Sequence, residues 1–315
     1  MHEFELIKNY FSRISKKNKS ALNLNDDVFF DKKKGIAISV DTYNIGYHFI
    51  DFKHPHLVIK KIIRSSISDL ICKGVLPKFY FIAGSGNNKT FSKKNLSLIS
   101  KSLTQEQNKY NIFLCGGDTT FSNKLSFTVT SLGYSKKIVY RNKALINDDI
   151  YVSGDLGDSF MGLQILKNKI KVSKKLKNYF TQKYYLPNLR IKLTKKLLNF
   201  ANSSIDLSDG LIDDLSKMIN NQNLSFSLNE NKIPISKNLL KIIKMKNMRK
   251  IKLVSNGDDY QILFTACKDK SRIIARTSKN LGIKISKIGK ICSDKKRSVI
   301  IDEKGKEIVL SLIHI

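Results

Sequence analysis

Aspartates in this chain recur in short polar stretches, most of them beside glycine, serine or threonine: Asn25-Asp26-Asp27, Ser39-Val40-Asp41-Thr42, Ile67-Ser68-Asp69-Leu70, Gly116-Gly117-Asp118-Thr119, Ile205-Asp206-Leu207-Ser208-Asp209-Gly210 and Gly257-Asp258-Asp259-Tyr260. Such clustering is unexpected in a chain with 57 Lys and Arg against 26 Asp and Glu, a net charge of +31. Adjacent carboxylates repel unless a cation holds them, and hard oxygen ligands suit Mg²⁺ held between protein and phosphate. The pair Gly116-Gly117 also lets the backbone approach a bulky anion. Taken singly, each stretch has an ordinary reading too: a Gly-Gly turn with a solvated acid, an Asp-Asp turn, or a helix cap. Taken together, they point to several Mg²⁺ ions screening two polyanions, and hence to phosphoryl transfer or nucleotide-dependent ligation. No Walker A loop is present, since Gly289-Lys290 is followed by Ile291, and no protein-kinase signature occurs. A nucleotide must be held by another fold.

Hydrophobic spacing outlines the elements that position these residues. Phe4 to Ser15 has helical spacing with one face to bury, and Gly35 to Asp41 reads as a strand on which Ser39 and Asp41 share a side. Thr42 and His48 fall in the loop that follows. Pro55 to Lys73 reads as a long helix whose apolar face Asp69 interrupts; that carboxylate either faces a site or caps a neighbouring backbone. Leu76 to Ala83 is a strand ended by Gly84-Ser85-Gly86, and Phe91 to Tyr110 is an amphipathic helix. Asn111 to Leu114 is a short buried strand that delivers Gly116-Gly117-Asp118 into a loop. After the strand Leu125 to Tyr134, Arg141 is either a solvated lone arginine or one that reaches a phosphate.

A composition change at Asn147-Asp148-Asp149 divides the chain into domains 1–146 and 147–315. Beyond it, a strand from Ile150 leads to Gly157-Asp158-Ser159, which opens a helix either as an anion site or as a plain cap. Pro187 starts a helix ending near Asn202. Asp206 and Ser208 point one way on an extended segment, and Asp209-Gly210 caps a helix from Leu211 to Asn220. Asp258 and Asp259 precede a strand from Gln261 to Thr265; a helix from Ser271 and strands at Lys284 to Gly289 and Val299 to Asp302 read as scaffold. The expected class is α/β with mixed sheets.

With 41% hydrophobic and 26% charged residues, the chain has the composition of a folded globular protein. Its lysines are spread over nearly every predicted element instead of forming a basic stripe, which argues against a nucleic-acid partner. A positive field would still draw in phosphorylated metabolites. Cys72, Cys115, Cys267 and Cys292 form no C-x-x-C pair and read as reduced thiols. Met1 to Glu5 lacks a secretory pattern and no uncharged run is long enough for a bilayer, so a cytoplasmic location with no membrane partner is expected.

In their order along the chain, the six acid stretches resemble the thiamine-monophosphate kinase family over nearly its whole length. The resemblance implies the fold of the aminoimidazole-ribonucleotide synthetase superfamily, with N-terminal domains pairing in a dimeric β-barrel. It implies a homodimer, ATP bound near the interface, and conversion of thiamine monophosphate to thiamine diphosphate. It further implies Mg²⁺ at Asp27, Ser39, the Val40 backbone, Asp41, Asp69, Asp118, Asp206 and Asp209. ATP would meet Gly117, Asp118, Arg141 and Ser208, and thiamine monophosphate would meet His48 and Asp258. The chain departs from the family pattern at Asn25 (usually glycine), Val40 (usually threonine) and Asp258 (usually glutamate). The family's C-terminal aromatic has no counterpart in Leu310 to Ile315. A phosphate acceptor is already ionised near neutral pH, so direct in-line transfer needs no general base and no phosphoenzyme, with Arg141 neutralising charge. Among relatives of that superfamily, a selenophosphate synthetase would carry an N-terminal reactive cysteine, and this chain has none before Cys72. A purine-pathway cyclo-ligase is a further alternative, and a basic nucleic-acid-binding protein is the alternative from another class.

Overall fold

Strict alternation makes Ser126–Tyr134 (β5) the spine of the first sheet: Phe127, Val129, Ser131 and Gly133 are buried on one face, and the residues between them turn outward. The computed structural model describes residues 3–295, 297–302 and 304–309, so Leu310 to Ile315, where the family's C-terminal aromatic finds no counterpart, lie outside the described residues. Around β5 the order is β1-β2-β5-β3-β4, with β1 Phe29–Asp31, β2 Ile36–Asn44, β3 Pro77–Gly86 and β4 Phe113–Phe121. The β3–β4 pair is parallel and the other pairs are antiparallel. This sheet is open within one chain, and β1 and β4 are its edges.

The second sheet runs β12-β11-β8-β10-β6-β9-β7. It comprises β6 Asp149–Ser153, β7 Ser203–Asp206, β8 Leu224–Asn229, β9 Ile262–Ala266, β10 Ile285–Ser293, β11 Val299–Ile301 and β12 Glu307–Val309. Its β6 and β9 strands are buried throughout, with the apolar runs Ile150-Tyr151-Val152 and Ile262-Leu263-Phe264 at their centres.

Short helical turns α1 Glu3–Leu6 and α2 Ser12–Ser15 precede the long helices α3 Pro55–Cys72 and α4 Lys93–Tyr110. The C-terminal half carries α5 Asp158–Leu166, α6 Lys174–Tyr185, α7 Thr194–Leu197, α8 Leu211–Ile219, α9 Lys237–Lys246, α10 Lys250–Val254 and α11 Ser271–Leu281. Helix α3 joins the two sheets. Pro55 at its first turn fits the fixed φ of a helix start, and Val58, Ile59, Ile62, Ile63, Ile67, Leu70 and Ile71 are each at most 1% exposed. Burial on that scale contributes roughly 2 kcal/mol per side chain. Ser131 Oγ donates to the Ser66 carbonyl at 3.1 Å on the β5 side, and Ser204 Oγ of β7 donates to the Cys72 carbonyl at 2.6 Å on the other.

Several sequence expectations change. Tyr10, Phe11 and Ile14 of the N-terminal segment are 60%, 50% and 80% exposed, so the expected inward face is not buried. Thr42 lies on β2, and Gly84-Ser85-Gly86 lies within β3, because ladder pairing with β5 carries both strands past the expected ends. Gly116-Gly117-Asp118 lies inside β4 and not in a loop. That strand is exposed along its whole length, since it pairs with β3 alone. Gly117 is needed there because a Cβ would overlap the Ile82 carbonyl of β3. Pro187 opens no long helix; only the short α7 follows, while α6, β8 and α9 were not anticipated.

Candidate functional site

Where α3 crosses from β2 to β7, a cavity of about 670 Å³ opens. Val40, Asp41, Thr42, His48, Asp69, Asp206, Ser208, Asp209 and Asp258 are among its lining residues, and Ser39 is adjacent. Alternation on β2 places Asp41, the helical face places Asp69, and the end of β7 places Asp206. Ser39 Oγ donates to Asp69 Oδ2 at 2.5 Å and lies 3.5 Å from Asp41 Oδ2. Gly257 allows the last two acid stretches to meet: a Cβ there would overlap the Ser208 carbonyl, which accepts the Asp258 N–H at 2.8 Å.

Asp41, Asp69 and Asp206 are buried in the neighbourhood of other acids, among them Asp27 and Asp214. Burial pushes Asp41 up to about 6, with the Asp27 charge adding to it. Burial, then Asp27 and Asp214, push Asp206 up to about 8. Burial, then Asp41 and Asp206, hold Asp69 well above the usual carboxylate range. Mutual repulsion of this kind is relieved by a cation. Among the described residues no three Asp, Glu, His or Cys side chains form a ready-made metal cage. Mg²⁺, however, usually takes only one or two carboxylates together with waters and substrate phosphates, and these acids suit that mode.

Other acids carry cations of their own. Lys73 Nζ lies 2.6 Å from Asp27 Oδ2 and 3.0 Å from Asp26 Oδ1, and Arg141 Nη1 lies 2.9 Å from Asp27 Oδ1. Burial would raise Asp27, but Lys73 and Arg141 hold it below the usual range. Asp209 pairs with Lys217, which also lies 3.0 Å from Asp214. Asp214 in turn accepts the Asp209 and Gly210 N–H groups at 3.0 and 2.9 Å, fixing the turn ahead of α8. At the far end, Lys61 lies 2.7 Å from Asp258 and 3.6 Å from the Tyr184 ring centroid. His48 is exposed, and its Nδ1 accepts the Asn44 N–H at 3.0 Å.

Two placements differ from the expectation. Arg141 is 6% exposed and engaged by Asp27 and Asn25, so its guanidinium braces the Asn25-Asp26-Asp27 turn. Asn25 itself sits among Asn142 and Asn220, which explains how a side chain is tolerated there. Gly117 and Asp118 are outside the cavity: Asp118 is in register with Ala83, Thr128 and Thr42 across the sheet, three strand steps or about 14 Å from the cavity wall. Of the two readings of the α5 start, the cap is the one that fits, since the Asp259 carboxylate accepts the Gly157 N–H at 2.7 Å.

Sequence reading missed Lys61, Ser65 and Lys73. With Asp69 they recur every four residues, a polar stripe on one face of α3. That spacing was the available signal.

Residues 23–135 match the family model described as AIR synthase related protein, N-terminal domain. The chain is 36% identical over 286 residues to the thiamine-monophosphate kinase of Buchnera aphidicola subsp. Acyrthosiphon pisum, covering 87% of each chain. It is 34% identical to that of Haemophilus influenzae, over 99% of this chain and 96% of the relative. A solved structure, AaThiL complexed with AMPPCP and TMP, matches with a TM-score of 0.83 at 26% identity, over 97% of this chain and 94% of that one.

Proposed function

This chain belongs to the thiamine-monophosphate kinase family, and we infer on that premise that it converts thiamine monophosphate to thiamine diphosphate at the expense of ATP. The observation that carries the reading is the convergence of Asp41, Asp69 and Asp206 on one cavity, where burial and the charges of neighbouring acids raise all three. AaThiL was solved with AMPPCP, an ATP analogue, and TMP, which fits a cavity that must admit two phosphate-bearing molecules.

In this reading Asp41, Asp69 and Asp206, with Ser39 and the Val40 backbone beside them, hold Mg²⁺. Bound there, Mg²⁺ would neutralise phosphate charge and bring donor and acceptor phosphates together. Ser39 fixes the Asp69 carboxylate by its hydrogen bond, Ser208 meets the nucleotide, Asp209 offers Mg²⁺ its exposed carboxylate, and His48 and Asp258 face the acceptor. Transfer is direct: the acceptor phosphate is already ionised, and the Nδ1 of His48 is engaged by backbone. The domain division 1–146 and 147–315 and a cytoplasmic location belong to the same proposal; among the described residues no helix is long and apolar enough to cross a membrane.

A homodimer completes the proposal. The open face of the first sheet exposes Val40 (61%), Phe81 (43%), Phe113 (45%) and Tyr134 (55%), a patch suited to burial against a second copy. The same pairing would cover the bare β4 edge and carry Asp118 to the partner's cavity.

Coupled assay of ATP consumption tests the activity. Thiamine monophosphate should be phosphorylated and free thiamine should react at least about 10²-fold more slowly, because an alcohol acceptor needs a base. Comparable rates with free thiamine, or a labelled phosphoenzyme trapped from γ-labelled ATP, would overturn direct transfer.

The raised carboxylates also set a pH dependence. Between the unfolded Asp value of about 3.9 and the folded values of about 6 for Asp41 and about 8 for Asp206, the folded state holds protons that the unfolded state has lost. The metal-free protein should therefore lose stability from these groups as pH rises from 5 to 8. Mg²⁺ should raise the melting temperature more at pH 8 than at pH 5.5, as read by thermal denaturation. A Mg²⁺ effect independent of pH would contradict the assignment.

A further inference from the structure

Lys73 is fully buried, and its ammonium meets three oxygens: Asp27 Oδ2 at 2.6 Å, Asp26 Oδ1 at 3.0 Å and the Ser204 carbonyl at 2.7 Å. The contact to the Ser204 carbonyl is a hydrogen bond, and the two to the carboxylates are buried ion pairs. The other Asp27 oxygen faces Arg141 at 2.9 Å, and Asp26 Oδ2 accepts the Arg141 backbone N–H, also at 2.9 Å. Two carboxylates thus face two cations, and the turn carries no charge deficit that would call in a metal.

We infer that Lys73 is a fixed cation built into the acidic turn, occupying the place that a divalent ion would take between Asp26 and Asp27, so that Asp27 is a positioning residue and binds no Mg²⁺. The inference rests on the Mg²⁺-ATP chemistry assigned above to the neighbouring cavity. A Mg²⁺ ion on Asp27 would lie about 2.1 Å from an oxygen already 2.6 Å from an ammonium, or from one paired with a guanidinium, and the like charges would repel strongly at that range. Asp41, Asp69 and Asp206 differ, since acids dominate their charged surroundings. Asp27 still acts on the cavity at a distance, because its charge is felt at all three. Holding it by Lys73 and Arg141 limits that repulsion without consuming a metal ion.

The test counts metal. Mn²⁺, whose free ion is read by electron paramagnetic resonance, is titrated into the full chain with AMPPCP. Asp27→Asn should bind as many Mn²⁺ ions per chain as the wild type. Lys73→Met, similar in shape but uncharged, leaves two carboxylates against Arg141 alone. It should bind one more Mn²⁺ ion than the wild type, and without metal it should melt lower and be rescued by Mn²⁺. Loss of one ion in Asp27→Asn, or an unchanged count in a folded Lys73→Met, would overturn the inference. Should Lys73→Met fail to fold, the Asp27→Asn count decides alone. A wild type that binds Mn²⁺ and AMPPCP but leaves thiamine monophosphate unchanged would refute the activity and leave the metal comparison standing.

Discussion

Asp69→Asn is expected to lower kcat by at least about 10²-fold while leaving the metal-free protein no less stable than the wild type. An amide keeps the shape of the carboxylate but loses the charge that a cation needs. In a purely structural role the same change would lower the melting temperature, because Asp69 sits among packed elements and accepts a 2.5 Å hydrogen bond from Ser39. Here burial and the charges of Asp41 and Asp206 already disfavour the ionised form. Replacing it removes a repulsion and costs one acceptor geometry that the amide oxygen can supply. The two readouts, steady-state kinetics and thermal denaturation without metal, should therefore move independently. Near-wild-type turnover at ordinary Mg²⁺, or a marked drop in melting temperature, would remove Asp69 from the metal site.

Mixing two inactive variants should restore activity. Asp118→Asn is expected to be as inactive as Asp69→Asn, although Asp118 lies about 14 Å from the cavity of its own chain. If Asp118 serves the cavity of a second copy, a heterodimer of the two variants contains one site with both aspartates intact. The purified heterodimer then returns about half of wild-type activity, since one of its two sites is intact. Co-expression with two affinity tags and a turnover assay on the doubly purified species measures this. A strictly monomeric mass by light scattering in an active preparation, or no recovery in a verified heterodimer, would show that Asp118 does not act across an interface.

Much of the scaffold was legible. The helix read as Pro55 to Lys73 is Pro55–Cys72, and the strand read as Leu125 to Tyr134 is Ser126–Tyr134, because long runs with one period state their own secondary structure. Element ends were less legible. The strand expected to stop at Asp41 runs to Asn44, since its last residues are held by β5, whose register no local pattern records. Helix α6 was missed because Lys174–Tyr185 mixes lysines with aromatics that only packing sorts; Phe180, Tyr184 and Tyr185 are buried.

The order of acid stretches along the chain, and with it the family, was determined by sequence alone. So were the helix and strands that carry Asp41, Asp69 and Asp206. Which acids stand together and which are neutralised was decided only by the tertiary structure. Lys73 is one of 57 basic residues and looks like any other surface lysine until β7 and the Asn25-Asp26-Asp27 turn close over it. Asp118 and Asp69 sit in equally suggestive motifs, yet one lies on an open sheet edge and the other beside the cavity. Charge compensation depends on distances through space between segments far apart in the chain, and the interaction changes severalfold with burial, so residue spacing cannot encode it.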